Sequence, residues 1–258
     1  KHLPLPHSFQ EVLGAIADVG KPIARKLSAK PFLKWVGGKR SILPELTKRV
    51  PESYTIYYEP FLGGGALFFA IQPKSAYISD VNFHLILTFK AVRDDLERLI
   101  KNLKVHESKH NKEYYYKART RLFTEKDPTK IAALFIYLNK TCFNGLYRVN
   151  KMGQFNVPMG DYKEPAILNE ENLRNCSSLL QGREIYQQNF QQTKIQKDAF
   201  YYIDPPYHET YDGYDGNGFG EKEHEELALF CGEIDKKEGY FMVSNSDTKF
   251  VRTLYKGY

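Results

Sequence analysis

The spacing of apolar and polar positions changes period several times along this chain, and each change marks an element. Residues 55–61 are rich in Tyr and Ile and run into three consecutive glycines, Gly63 to Gly65, which reads as a strand entering a glycine turn. Residues 66–71 then start a helix, and 75–78 form a second short strand ended by Ser79-Asp80. Strand, glycine turn, helix, strand is how a doubly wound sheet opens. Over 85–104 the apolar residues Leu85, Phe89, Val92, Leu96 and Ile100 recur at helical spacing, which predicts one long helix. Residues 113–123 and 129–142 continue that pattern, the second opened by Asp127-Pro128. Residues 144–158 are turn-rich, polar and basic and read as a hairpin or loop. Asn169 before Glu170, Glu171 and Asn172 has the form of a capped helix start. The sheet then resumes, with strands over 184–187 and 199–203, a helix over 221–235 and a strand over 239–245.

The layout is an α/β sheet begun early, interrupted, and completed late. Residues 31–84 and 183–258 make the sheet domain, and 85–182 are an inserted, mostly helical region. An insertion of this kind sits at the surface and is a natural place for substrate recognition. Residues 1–30 stand apart as an extension: an arm, a packing helix or a vector-derived remnant, with an amphipathic stretch over 11–27 interrupted near Gly20 to Pro22.

Size and charge narrow the function class. At 258 residues and 42% hydrophobic content the chain supports one sizeable core. No apolar run approaches the roughly 18 to 20 residues of a membrane span, and the start lacks a basic segment followed by an apolar one, so neither a membrane nor a secretory role is expected. Cys142, Cys176 and Cys231 are odd in number and show neither metal-ligand nor disulfide spacing, which points to a reducing cytoplasm and no metal. The net charge of +6 is compatible with a polyanionic partner. The 19 Tyr and 17 Phe include faces able to stack on bases, although most of them are expected in the core.

Four segments carry candidate chemistry. The sharpest is Asp204-Pro205-Pro206-Tyr207, delivered by the apolar strand Phe200 to Ile203 to the carboxyl end of the sheet, where open α/β folds bind ligands. Two prolines make a stiff turn with carbonyl acceptors and no N–H donors. Such a turn presents the Asp204 carboxylate and the Pro205 carbonyl to one amino group, with Tyr207 as a flat face beside them. An aromatic amine such as N6 of adenine is a poor nucleophile because its lone pair is delocalised. Acceptors on both of its N–H groups favour a tetrahedral nitrogen, and a carboxylate stabilises the positive charge that develops.

The second segment is Glu59-Pro60-Phe61-Leu62-Gly63-Gly64-Gly65, a turn that lets a ligand approach the backbone, with Asp80 at the distance where a second-strand acid meets a ribose. A plain tight turn and a solvated aspartate account for these residues equally well. The third runs from Pro31 to Arg40 and holds the only tryptophan. Trp35 is suited to an adenine or a sulfonium and Lys39 to a carboxylate, against the alternative of a Trp buried beside a turn. The fourth comprises Phe143 to Asn150 and Gln154 to Pro158. Arg and Asn read guanine and adenine edges, Leu and Pro contact a thymine methyl, and Phe143 can fill the gap left by a displaced base. An ordinary polar hairpin is the alternative.

Together, Lys34-Trp35-Val36-Gly37-Gly38-Lys39, Glu59 to Gly65, Asn144-Gly145-Leu146-Tyr147-Arg148 and Asp204 to Tyr207 closely resemble one family, the Dam-type (D12 class, alpha arrangement) DNA adenine-N6 methyltransferases. The resemblance covers about Pro31 to Tyr255. It implies a Rossmann-like, S-adenosylmethionine-dependent methyltransferase sheet with a reversed last strand and an inserted target-recognition region. It implies that Trp35, Lys39, Glu59, Phe61, Gly63, Gly65, Asp80 and Asp204 bind the methyl donor, and that Asp204, Pro205, Pro206 and Tyr207 hold a flipped adenine. Lys34, Phe143, Asn144, Leu146, Arg148, Asn156, Pro158 and Tyr162 would contact DNA, with GATC as the site and S-adenosylhomocysteine as the product. Asp161 departs from the family, which commonly has arginine there. The expected partner is double-stranded DNA, with a cognate restriction endonuclease as a further candidate and a monomer as the expected state. An RNA adenine methyltransferase and a non-catalytic DNA-binding subunit of a restriction system are the rival readings.

Overall fold

The computed structural model describes residues 27–39, 41–208 and 219–258. Residues 1–26 of the extension, with all of the amphipathic stretch but Leu27, and Arg40 lie outside the described residues.

Five parallel strands form the sheet: β1 (Tyr57–Glu59), β2 (Ala76–Asp80), β3 (Glu184–Gln187), β4 (Phe200–Ile203) and β5 (Tyr240–Val243), in the order β3-β2-β1-β4-β5. This is the α/β architecture expected. The reversed strand implied by the resemblance is not among the described strands. The helices are α1 (Leu43–Lys48), α2 (Ala66–Ile71), α3 (Phe83–Asp94), α4 (Leu96–Ser108), α5 (Lys112–Arg121), α6 (Pro128–Thr141), α7 (Glu170–Leu180), α8 (Glu221–Lys236) and α9 (Lys249–Leu254). Helices α3 to α7 lie between β2 and β3 in the chain.

Because side chains alternate along a strand, each strand feeds both faces of the sheet. Tyr57, Ile78, Phe200 and Tyr202 pack with α3 to α7 in one core. Tyr58, Tyr201 and Ile203 face the opposite way, onto Leu227, Phe230, Cys231 and Ile234 of α8. On that second face the tyrosines form a ladder across four strands: Tyr186 to Tyr77 at 4.7 Å, Tyr77 to Tyr58 at 5.4 Å, and Tyr58 to Tyr201 at 4.7 Å between ring centres. Much of the aromatic content is therefore structural. Helix α6 is apolar on nearly every side and buries eleven of its residues, so it is the axis of the helical region.

The predicted elements recur with instructive differences. The caps at Asp127 and Asn169 form, each side chain accepting an N–H three residues on. The strand predicted over 55–61 shortens to Tyr57–Glu59, since Pro60 has no N–H for the ladder. The strand predicted over 75–78 extends to Asp80, because Ser79 and Asp80 pair with Tyr186 and Gln187. The single helix predicted over 85–104 is two helices. Asp95 leaves helical geometry (φ −141°, ψ 45°) and accepts the Thr129 hydroxyl at 2.6 Å, which lets α3 and α4 each pack on α6. Helices α1 and α9 were not foreseen; six residues are too few to show a period. Residues 144–158 form a narrow ribbon, bridged at Val149–Phe155 and turned by Asn150 to Gly153.

Candidate active site

The strand order creates the site. The chain moves from β1 outward to β2 and β3, then returns to the other side of β1 for β4 and β5. The crevice between the carboxyl ends of β1 and β4 is therefore the switch point at which such sheets bind ligands. Three acids stand at the ends of three neighbouring strands there: Asp80 on β2, Glu59 on β1 and Asp204 directly after β4.

Asp204 forms an ion pair through one of its oxygens. Its Oδ2 lies 2.7 Å from Lys39 Nζ, and the pair is largely buried, with side-chain exposures of 18% and 9%. Its Oδ1 is buried and has no hydrogen-bond partner. Burial raises the Asp204 pKa, while the Lys39 charge and the Tyr207 hydroxyl pull it back. Lys39 also donates to the Gly37 carbonyl and sits 4.9 Å from the centre of the Tyr207 ring. Pro205 is buried, Pro206 exposed and Tyr207 half-buried, so the turn shows one face to solvent. Past the turn, His208 is latched to the loop after β5. Its N–H donates to Asn245 Oδ1 (3.1 Å), and its carbonyl accepts from Ser246 Oγ (2.6 Å).

Glu59 is buried at the start of α2. Desolvation pushes its pKa up to about 8, against the lowering effect of hydrogen bonds from Tyr57 Oη (2.8 Å) and the Phe68 backbone N–H. Its carboxyl therefore favours the neutral form and lies buried beneath the rim. Asp80 organises the glycine turn, accepting Gly63 N–H on Oδ2 (3.0 Å) and Asn82 N–H on Oδ1 (2.9 Å).

Trp35 closes the turn from above. A Cβ on Gly63 (φ +47°) would stand 2.7 Å from Trp35 Cδ1, and the indole stacks on Tyr147 at 5.8 Å and 18°. Gly63→Ala therefore meets a rigid ring as well as left-handed backbone. If Gly63 borders the methyl donor, as the resemblance implies, the substitution weakens donor binding roughly tenfold, in line with about 1.4 kcal/mol of displacement or strain; equilibrium dialysis with labelled donor reads this directly. Phe61 packs instead with the core on the second face of the sheet, stacking on Phe190 at 5.5 Å.

The residues expected to read DNA converge on one edge of the helical region. Lys34 Nζ donates to Tyr162 Oη (3.1 Å) and lies 4.2 Å over its ring. Arg148 Nε donates to Asn156 Oδ1 (2.7 Å) across the ribbon. Phe143 and Asn144 are exposed on a short 3₁₀ turn with Asn144 at φ +52°, Leu146 is half-buried and Pro158 exposed. Sequence reading missed Asn139 in α6, whose buried amide binds Lys34 and Gly145. Its signal was one amide directly after the apolar run Ile131 to Leu138, in the same helical stretch.

Residues 35–258 match the D12 class of N6 adenine-specific DNA methyltransferases. The chain belongs to this family. It is 40% identical to the type II methyltransferase M.MjaIII of Methanocaldococcus jannaschii, over 90% of each chain. It is 37% identical to the type II methyltransferase M1.LlaDCHI of Lactococcus lactis subsp. cremoris, over 90% of this chain and 87% of the other. It is 35% identical to a DNA adenine methylase of Haemophilus influenzae, over 90% and 85%. This methyltransferase is thus an adenine-specific enzyme acting on DNA, which sets aside the RNA and non-catalytic readings. Among the described residues, no cluster of three or more His, Cys, Asp or Glu side chains is placed to hold a metal, and no helix is long and apolar enough to cross a membrane.

Proposed function

We propose that this methyltransferase uses S-adenosylmethionine to methylate N6 of an adenine flipped out of duplex DNA, within GATC. The observation that carries the reading is the buried, unpartnered Oδ1 of Asp204, held at the switch point by a lysine on the other oxygen. A buried acceptor without a partner costs free energy unless a ligand supplies the donor, and an exocyclic amine supplies it. The rim also fits a cationic donor, since it joins the carboxylates of Asp80 and Asp204 to the bare backbone of the glycine turn.

When bound, S-adenosylmethionine supplies an electrophilic methyl group on a sulfonium. The work of the protein is then positional and electrostatic. Asp204 Oδ1 and the Pro205 carbonyl accept the two hydrogens of the adenine amine. This draws the nitrogen towards tetrahedral geometry and frees its lone pair for in-line attack. Tyr207 supports the flipped ring. Lys39 favours the charged form of Asp204 in a buried place, and that negative charge stabilises the positive charge that grows on nitrogen. Extrusion of the base costs a few kcal/mol, met by protein–DNA contacts.

GATC is supported by Lys34, Leu146, Arg148 and Pro158 as the base-reading set, with Tyr162 and Asn156 orienting two of them. Two relatives bear type II names, and we extend to this enzyme a role beside a cognate restriction endonuclease, acting as a monomer. The test is labelled methyl transfer to three duplexes, one with GATC, one with its adenine already N6-methylated and one without GATC. Label in the first alone is expected. Equal label in duplexes with and without GATC would reject the site, and none in any DNA would reject the reaction.

A further inference from the structure

We infer that Asn139 is a positioning residue that registers the base-reading segment against the catalytic segment, so that site preference passes through one buried amide. The inference rests on the reading of Lys34, Leu146 and Arg148 as base contacts.

Asn139 is 3% exposed and lies near the end of α6. Its Oδ1 accepts the Lys34 N–H at 2.8 Å, and its Nδ2 donates to the Lys34 carbonyl at 2.8 Å and to the Gly145 carbonyl at 3.2 Å. Both amide hydrogens and the oxygen are thus engaged. Pairing both ways with one residue's backbone fixes the orientation of Lys34 as a strand partner would, across 105 positions of sequence. The third bond ties in the turn Phe143–Gly145.

The two segments also fit sterically. Gly145 has φ +65°, and a Cβ there would stand 2.5 Å from Lys34 Cβ, so this close approach requires glycine. The Lys34 stem fills that space and carries its ammonium to Tyr162. Immediately after Lys34, Trp35 packs on the glycine turn, and four residues further Lys39 pairs with Asp204. The Asn139 amide therefore contacts the reading turn directly and the catalytic carboxylate through five residues of chain. Backbone–backbone hydrogen bonds do not connect Gly145 to Lys34 in the described residues, so the amide is the polar link between them.

A helix residue that served packing alone would be replaceable by leucine at a cost in stability only. A registering residue would change discrimination. The experiment compares kcat/KM on a GATC duplex with that on duplexes carrying one substituted flanking base pair, for the wild type, Asn139→Leu and Asn139→Asp, with thermal midpoints recorded. Asn139→Leu leaves the Lys34 N–H and two carbonyls unpaired and is expected to lower the discrimination ratio at least tenfold. Asn139→Asp keeps the acceptor for Lys34 N–H but sets a carboxylate against two carbonyls, and is expected to fall between. Should the leucine variant fail to fold, the aspartate variant is judged by the same ratio. A uniform loss of rate with the ratio unchanged overturns the inference and leaves the proposed reaction standing. A wild type that methylates adenine without regard to flanking bases overturns both the inference and the base-reading assignment.

Discussion

Asp204→Ala is expected to lower kcat by about a thousandfold at saturating donor and duplex, while duplex affinity stays within about threefold. The size follows from what removal of one preorganised electrostatic partner costs in a dry site, about 10²- to 10³-fold, and Asp204 supplies both an acceptor and the charge. The substitution deletes a carboxylate that already lacks a partner on Oδ1, so the apoenzyme loses little in hydrogen bonding on that side. Asp204→Asn keeps one acceptor without the charge and should lose less. Single-turnover methyl transfer, with duplex binding measured in parallel, separates chemistry from affinity. Full single-turnover rate in Asp204→Ala would end the proposed mechanism.

Lys39→Met carries the second largest effect and makes a pH prediction. Lys39 neutralises a buried carboxylate at 2.7 Å. Loss of one partner of a buried pair typically costs about 3 kcal/mol because the other charge is stranded. Asp204 is already raised by desolvation and held back chiefly by Lys39, so its pKa climbs further in the variant. The sign follows from linkage. A carboxyl with a raised folded-state pKa binds more protons folded than unfolded, so its contribution to stability is full at low pH and lost as pH rises. The variant should thus be closest to wild type in stability near pH 5 and fall furthest below it near pH 8. Activity moves the opposite way, since only ionised Asp204 accepts fully and places its charge: the acid limb of the kcat profile shifts to higher pH. Thermal melts and rates across pH 5 to 9 test both trends. A variant whose acid limb coincided with that of the wild type would show that Lys39 does not set the state of Asp204.

The two residues are 165 positions apart in sequence, and nothing in the local pattern around either one pairs them. The Pro205-Pro206 turn was legible because its stiffness is a local property of proline. The glycine run was legible as a turn, but a plain tight turn explained it equally well until the fold set Asp80 and Trp35 against it. The pairing of Lys39 with Asp204 depends instead on strand order, which brings β4 beside β1. For Trp35, the sequence left a ligand face and a buried ring equally open. The fold sets it against Gly63 and Tyr147, where it packs over the glycine turn. Glu59 shows the same division. Its place at the end of a strand was visible, but the rise in its pKa follows from full burial beneath the rim.

By itself, the sequence determined the class of fold and the family and located the Asp204 to Tyr207 turn, because each is written in short runs whose backbone geometry is fixed by proline, glycine or strict periodicity. Only the tertiary structure decided which charges meet, which acid is buried and how the reading segment is tied to the catalytic one. Those outcomes depend on contacts between residues far apart in the chain. Asn139 illustrates the point: a polar residue in a central apolar helix announces that its amide must be satisfied, but the Lys34 and Gly145 backbones become its partners only when α6 is packed between them.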